Sequence, residues 1–157
     1  MKKIIFLLII IAAVSEGCKK YPDGPLISFR SAKNRLYGSY KLTQYTVDGI
    51  DSLNLFNDSI QAGLALAYDN VDQINNGNIT WYNGSGKYST VYFEWELNNH
   101  NKNLQFTYAE GSIGTGPFGI NKTPNWTIKQ LTNKETKWKI NFDNKEYFID
   151  LVKTEGQ

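Results

Sequence analysis

The chain has 157 residues, of which 41% are apolar, 14% aromatic and 20% charged, with 17 Lys and Arg against 15 Asp and Glu. A single cysteine, Cys18, and a single histidine, His100, exclude an intrachain disulfide, a cysteine-rich zinc site and the usual Ser/His/Asp or Cys/His catalytic groups, unless His100 carries them alone. The formal net charge of +2 comes without a Lys/Arg cluster and does not indicate nucleic-acid binding.

The first residues have the pattern of an export signal. Met1-Lys2-Lys3 is followed by an uninterrupted apolar run from Ile4 to Val14. A helix of that length spans only about 16 Å, roughly half of a hydrocarbon core. The segment therefore predicts a signal peptide over residues 1–17 that is removed, rather than a membrane span or a buried core helix.

Cys18 stands where a lipid attachment site would be expected. Ser15-Glu16-Gly17-Cys18 resembles the lipobox of bacterial lipoproteins, with Ser15 where Leu is usual. That resemblance implies lipidation of Cys18, which becomes the first residue of the mature chain; the alternative is an incidental cysteine after an ordinary cleavage site. The same resemblance implies the outer membrane, because Lys19 follows the cysteine in place of the Asp that is associated in some bacteria with inner-membrane retention. Whether the domain faces the periplasm or the cell surface stays open.

A tether over residues 18–31 precedes one predicted domain over residues 32–157. Tyr21-Pro22-Asp23-Gly24-Pro25 is turn-forming sequence. Ser31 can cap a short helical turn that Gly38 can close. Without the signal peptide, the remaining chain is still long enough to bury one hydrophobic core without disulfides.

Beyond Gly38 the apolar residues recur at every second position, which is typical of half-buried strands. Residues 51–70 are ambiguous and predict a short helix near 52–60 followed by a strand near 63–69. A slip in the alternation between Ile128 and Leu131 predicts a bulge. The predicted strands are 39–47, 63–69, a strand with Ile79 and Trp81, 91–97, 104–108, 126–128, 138–142 and 147–151.

These strands follow one another through short turns, such as Asp48-Gly49 and Asp143-Asn144, without crossover helices. A parallel sheet is therefore excluded. Antiparallel strands with one apolar face must close or stack. The sequence predicts an all-β fold, a small up-and-down antiparallel barrel of about eight strands after a short N-terminal helical turn, with a β-sandwich as the alternative.

The whole arrangement resembles the lipocalin-like domain lipoproteins of Gram-negative bacteria. The resemblance is carried by the signal, the tether C-K-K-Y-P-D-G-P, the strand opening Gly38-Ser39-Tyr40 where that family commonly has Gly-x-Trp, and the C-terminal pattern W-T-I-K-Q-L-T-N-K-E-T-K-W-K-I. It covers most of residues 18–153 and implies a small barrel with an open or partly filled interior. It implies no shared catalytic residues.

No motif predicts catalysis, a metal or a cofactor. Residues 114–119 match G-x-G-x-x-G, but Pro117 removes one backbone donor and no helix follows, so a loop is favoured. Glu94 and Glu96 are expected on the solvent face. His100 lies in a polar turn without metal-ligand spacing around it. The protein is therefore predicted not to be an enzyme.

The aromatic residues are the candidates for ligand binding. Trp and Tyr rings would offer stacking faces and hydrogen-bond donors to an apolar or amphipathic molecule. The alternative is that they pack the core. The candidates for the barrel interior are Tyr40, Trp81, Phe93, Trp95, Phe106, Tyr108 and Trp126, and the wider inward set adds Trp138, Phe142 and Tyr147.

Two hypotheses follow. The first is a non-enzymatic, lipid-anchored envelope lipoprotein whose barrel binds a small apolar or amphipathic ligand. The second is a structural or accessory envelope lipoprotein with a filled barrel that docks a protein partner through an exterior patch, such as Tyr92, Tyr45 or Phe148.

Overall fold

The computed structural model describes residues 21–22, 30–53, 63–69, 73–83, 87–108 and 123–154, with the backbone alone for 81–83 and 87–88. The predicted signal peptide, Cys18 and nearly all of the tether lie outside the described residues. So do most of the predicted helix near 52–60 and the G-x-G-x-x-G segment.

One short helix and nine strands make up the described chain. Ser31 caps the helix as predicted, because its Oγ accepts a hydrogen bond from the Asn34 amide at 3.1 Å. The elements are α1 (Ala32–Leu36), β1 (Gly38–Val47), β2 (Ile50–Asp51), β3 (Gly63–Tyr68), β4 (Asn75–Asn83), β5 (Lys87–Asn98), β6 (Asn103–Tyr108), β7 (Asn125–Leu131), β8 (Glu135–Phe142) and β9 (Lys145–Lys153).

The sheet closes on itself. Each long strand pairs antiparallel with the next, and β1 also pairs with β9 along most of its length. The short β2 continues the barrel wall beside the end of β1, where β3 no longer reaches. The prediction of an eight-stranded up-and-down barrel is confirmed, and closure through β1 and β9 excludes the sandwich alternative.

The tight turns that join the strands match the sequence. Asp48 and Gly49, and likewise Asp143 and Asn144, have positive φ values, as two-residue hairpins require. The predicted bulge in β7 is present as a register shift between Ile128 and Gln130. A second shift, between Leu42 and Gln44 in β1, is absent from the sequence prediction. It turns Tyr45 into the barrel, so the expectation of Tyr45 on the exterior is wrong.

The helix covers one end of the barrel, which we call the base. Leu36 is fully buried there, and the Tyr40 hydroxyl donates to the carbonyl oxygens of Arg35 and Leu36 at 3.0 and 2.7 Å. The Arg35 guanidinium donates to the Leu131 carbonyl at 2.6 Å. The helix, the Tyr40 side chain of β1 and the Leu131 backbone of β7 therefore close the base.

Candidate functional site

The predicted interior candidates lie on the inner face of the barrel wherever their side chains are described. Five are buried, and Tyr108 is half-buried beside Phe93. Trp81 lies in β4, with only its backbone described. The five buried candidates are Tyr40, Phe93, Trp95, Phe106 and Trp126.

Rings fill the middle of the barrel. The centroids of Phe93 and Phe106 are 4.4 Å apart, Phe106 and Trp138 5.7 Å, and Trp126 and Trp138 6.4 Å, all within aromatic packing distance. The Trp138 indole N–H donates to the Thr136 hydroxyl at 2.6 Å, which satisfies a buried donor inside this packing. The central level of the barrel is therefore occupied by the protein's own side chains.

The opposite end, which we call the mouth, is different. A row of apolar side chains crosses three strand pairings there, because Ile50 opposes Val47, Val47 opposes Tyr147, and Tyr147 opposes Ile140. Directly opposed residues share a face, and Tyr147 is buried in the core, so the whole row faces inward. Yet Ile50 is 70% exposed, and Val47 and Ile140 are only half-buried. The inner face is thus accessible to solvent at the mouth.

Neutral phenols lie below this rim. The rings of Tyr45 and Tyr147 lie 6.4 Å apart. Burial, with a smaller contribution from Tyr147, raises the pKa of Tyr45 to about 12. Burial likewise raises the pKa of Tyr108 to about 12. Both hydroxyls therefore keep their protons at neutral pH, and an uncharged phenol can both donate and accept a hydrogen bond.

Sequence reasoning missed Ile50, Val47 and Ile140 because none of them is aromatic. For Val47 and Ile50, the sequence does contain a signal that predicts their pairing. Asp48-Gly49 is a strong two-residue hairpin sequence, and such a turn fixes Val47 opposite Ile50. It is the closure between β1 and β9 that then brings this pair beside Tyr147.

The residues considered for catalysis or metal binding are dispersed. Glu94 and Glu96 are exposed on the outer face of β5, as expected. His100 is exposed in the turn between β5 and β6, with a φ of +57°. Within the described ranges, no three His, Cys, Asp or Glu residues come together as a possible metal site. No helix in the same ranges is long and apolar enough to cross a membrane.

Comparison with known proteins finds similarity in structure alone. No protein-family model matches the sequence, and no curated protein matches it significantly. A lipocalin-like protein from Bacteroides uniformis matches with a TM-score of 0.53 and 12% identity, over 76% of this chain and 99% of that one. A redesigned β-barrel matches with a TM-score of 0.52 and 13% identity, over 82% and 100%.

Japanin from Rhipicephalus appendiculatus, in a structure with bound cholesterol, matches with a TM-score of 0.54 and 11% identity. The match covers 79% of each chain. Identities this low establish the fold and nothing finer. Together with the closed eight-stranded wall, they show that the chain has a lipocalin-like fold.

Proposed function

We propose that this protein is a non-enzymatic, lipid-anchored envelope lipoprotein whose barrel binds a small apolar or amphipathic molecule at its mouth. The observation that carries the proposal is the row Ile50–Val47–Tyr147–Ile140, which faces inward yet is accessible to solvent at one end. An apolar surface left accessible inside a concave wall is what a ligand of matching chemistry would cover.

The packed rings limit how deep such a ligand can sit. Phe93, Phe106 and Trp138 occupy the centre, so the ligand would rest above them and meet Tyr108 at its side. The phenol of Tyr108 offers a neutral hydrogen-bonding partner to a hydroxyl or carbonyl group on the ligand. This combination suits a mainly apolar molecule that carries one or two polar groups.

The fold comparison supports the same ligand class. Japanin, which has the same fold, was solved with cholesterol, a mainly apolar molecule with one hydroxyl. Because Japanin and this chain are only 11% identical, the ligand class has to be argued from the residues of this chain. The mouth residues form an apolar surface with neutral phenols beside it, which suits the same class of molecule.

Binding of a small molecule at the mouth can be tested on protein purified from its own host. The full-length protein is purified from its own host, and bound small molecules are identified by native mass spectrometry. Burying an isoleucine side chain contributes about 1.5–3 kcal/mol, and most of Ile50 is available, so Ile50→Asp should weaken binding by about 5- to 30-fold. Val152→Asp is the matched control, because Val152 is exposed on the outer face of β9. Equal ligand content in both variants would refute a mouth site.

The anchor is a separate part of the proposal. Three acyl chains on Cys18 would hold the protein at the membrane essentially irreversibly, since each buried CH₂ contributes about 0.8 kcal/mol. Cys18→Ala should therefore release the protein from membranes, as measured by fractionation, and outer-membrane fractions should contain the native protein. A Cys18→Ala protein that stays membrane-bound would overturn the lipoprotein assignment.

The filled centre also favours a second candidate function. A barrel whose middle level is packed with rings could serve as a rigid accessory domain that docks a protein partner. The extraction experiment separates the two functions. A stoichiometric small molecule lost in Ile50→Asp supports the carrier function, whereas a co-purifying protein with an empty mouth supports the docking function.

A further inference from the structure

A second concave site lies on the outside of the barrel, away from the mouth row. It is a groove of about 580 Å³ across the outer surface of β3, β4, β5 and β6. That volume is within the range of about 300–1,000 Å³ that small-ligand pockets occupy. Seven of its ten lining residues point outward from the sheet, and Gly77, Phe93 and Tyr108 of the inner face complete the lining. Phe93 and Tyr108 also border the proposed ligand inside the barrel, whereas no residue of the mouth row lines the groove.

The strand register arranges the polar side chains of the groove as a small grid. Asn76 opposes Glu94, and Glu94 opposes Thr107, which places an amide, a carboxylate and a hydroxyl in one line across three strands. In the next line Asn78 opposes Tyr92. Neighbouring strands lie about 4.8 Å apart and alternate residues about 6.7 Å, so the five groups cover a patch one or two sugar rings wide.

Small residues form the side of the groove along β3. Ala65 opposes Asn78 and Ala67 opposes Asn76. Their methyl groups leave space beside the longer side chains of Asn76 and Asn78. The Tyr92 ring, which is 60% exposed, lies on the β5 side of the groove. The exposed Tyr92 ring therefore borders the groove.

The polar groups of this grid are available for binding. Among the described residues, the side chains of Asn76, Asn78 and Glu94 make no hydrogen bond or ion pair with the protein. The backbone groups, in contrast, are used in the ladders between β3, β4, β5 and β6. A ligand would therefore be recognised by side chains and could not add as an extra strand.

The chemistry of the grid selects one class of ligand. Each amide offers donors and an acceptor at fixed spacing, the carboxylate offers strong acceptors, and the tyrosine ring offers a flat apolar face with a polar tip. A phosphate or nucleic acid would meet Glu94 without a cation in the groove lining to offset its charge. A purely apolar molecule would leave both amides and the carboxylate without partners.

We propose that this outer groove is a carbohydrate-binding site for a neutral oligosaccharide, with one sugar ring stacked on Tyr92 and its hydroxyls hydrogen-bonded to Asn76, Asn78 and Glu94. Sugars present hydroxyl groups that both donate and accept, on a ring with one apolar face, and the grid matches both features.

The test uses the full-length, ¹⁵N-labelled protein in lauryldimethylamine oxide micelles, a detergent without a sugar headgroup. The probes are maltohexaose, cellohexaose, mannohexaose and N-acetylchitohexaose, and the readout is the side-chain amide signals of Asn76 and Asn78 in ¹H–¹⁵N spectra. At least one probe should shift both signals in a saturable way. Tyr92→Ala should weaken that probe's affinity by up to about tenfold.

A matched pair of variants locates the site. Glu94→Ala should weaken binding, whereas Glu96→Ala should not, because Glu96 is also exposed on the same strand face but does not line the groove. Ile50→Asp should leave the sugar titration unchanged, which distinguishes this site from the mouth. The proposal is overturned if no probe shifts the two amide signals, or if Tyr92→Ala and Glu94→Ala bind as the native protein does. A protein partner lost in Tyr92→Ala, with no sugar response, would also overturn it.

Discussion

Gly77 is the position where a single methyl group should disturb the barrel most clearly. It lies in β4 between Leu66 of β3 and Phe93 of β5, and it is buried. A Cβ atom there would lie 2.6 Å from the carbonyl oxygen of Ala65 and 2.8 Å from two ring carbons of Phe93. Gly77 is not among the glycines with positive φ, so an alanine is opposed by contacts and not by backbone conformation.

The size of the effect follows from these contacts. Overpacking a core commonly costs about 1–3 kcal/mol, and the shortest contact here is to backbone, which cannot rotate away as a side chain can. Replacing glycine also restricts the unfolded chain, which offsets about 0.4–1 kcal/mol of that cost. We therefore expect Gly77→Ala to lower the free energy of unfolding by about 2 kcal/mol, or roughly 4–8 °C in Tm.

Urea unfolding followed by tryptophan fluorescence would measure this change. Gly63→Ala is the matched control, because its Cβ would meet only the Tyr40 carbonyl oxygen, at 3.9 Å. Adding Phe93→Leu to Gly77→Ala removes the ring contact but leaves the Ala65 oxygen in place, so it should not restore the native stability. The reasoning would be refuted by a Gly77→Ala protein as stable as the native one, or by an equal loss in Gly63→Ala.

Two further predictions concern tyrosines inside the barrel. Tyr40→Phe should lower the free energy of unfolding by about 1–2 kcal/mol, because the buried carbonyls of Arg35 and Leu36 lose their donor; an unchanged urea midpoint would contradict that role. The folded-state pKa values of Tyr45 and Tyr108, about 12, lie above the ordinary value of 10.0. Their contribution to stability is therefore complete below pH ~10 and should be lost as the pH rises from about 10 through 12, a decline that Tyr45→Phe and Tyr108→Phe should each flatten in urea titrations.

Local sequence patterns determined much of the domain. The alternation in β5 placed Phe93 and Trp95 inside and Glu94 outside, because successive strand residues point to opposite faces. The turn residues and the bulge in β7 were also readable, since each depends on residues within a few positions of one another.

The mouth and the outer groove could not be predicted from local sequence patterns. Ile50 faces inward at the rim only because β2 extends the wall beside β1, and the bulge between Leu42 and Gln44 alone turns Tyr45 inward. The polar line of the groove depends on the registers between β4 and β5 and between β5 and β6, which place Asn76, Glu94 and Thr107 opposite one another. These are hydrogen-bond pairings between segments distant in sequence, and a one-residue slip would move every side chain to the other face.

The strand content, the inward and outward faces of the strands and the expectation of a closed barrel therefore follow from the amino-acid sequence. The single cysteine is predicted from sequence alone to be an attachment point, and the single histidine is left exposed in a turn. The tertiary structure decided which inward residues fill the centre and which stay accessible at the mouth. Periodicity reports which face a side chain takes, whereas depth within the barrel depends on closure, register and the packing of rings from different strands.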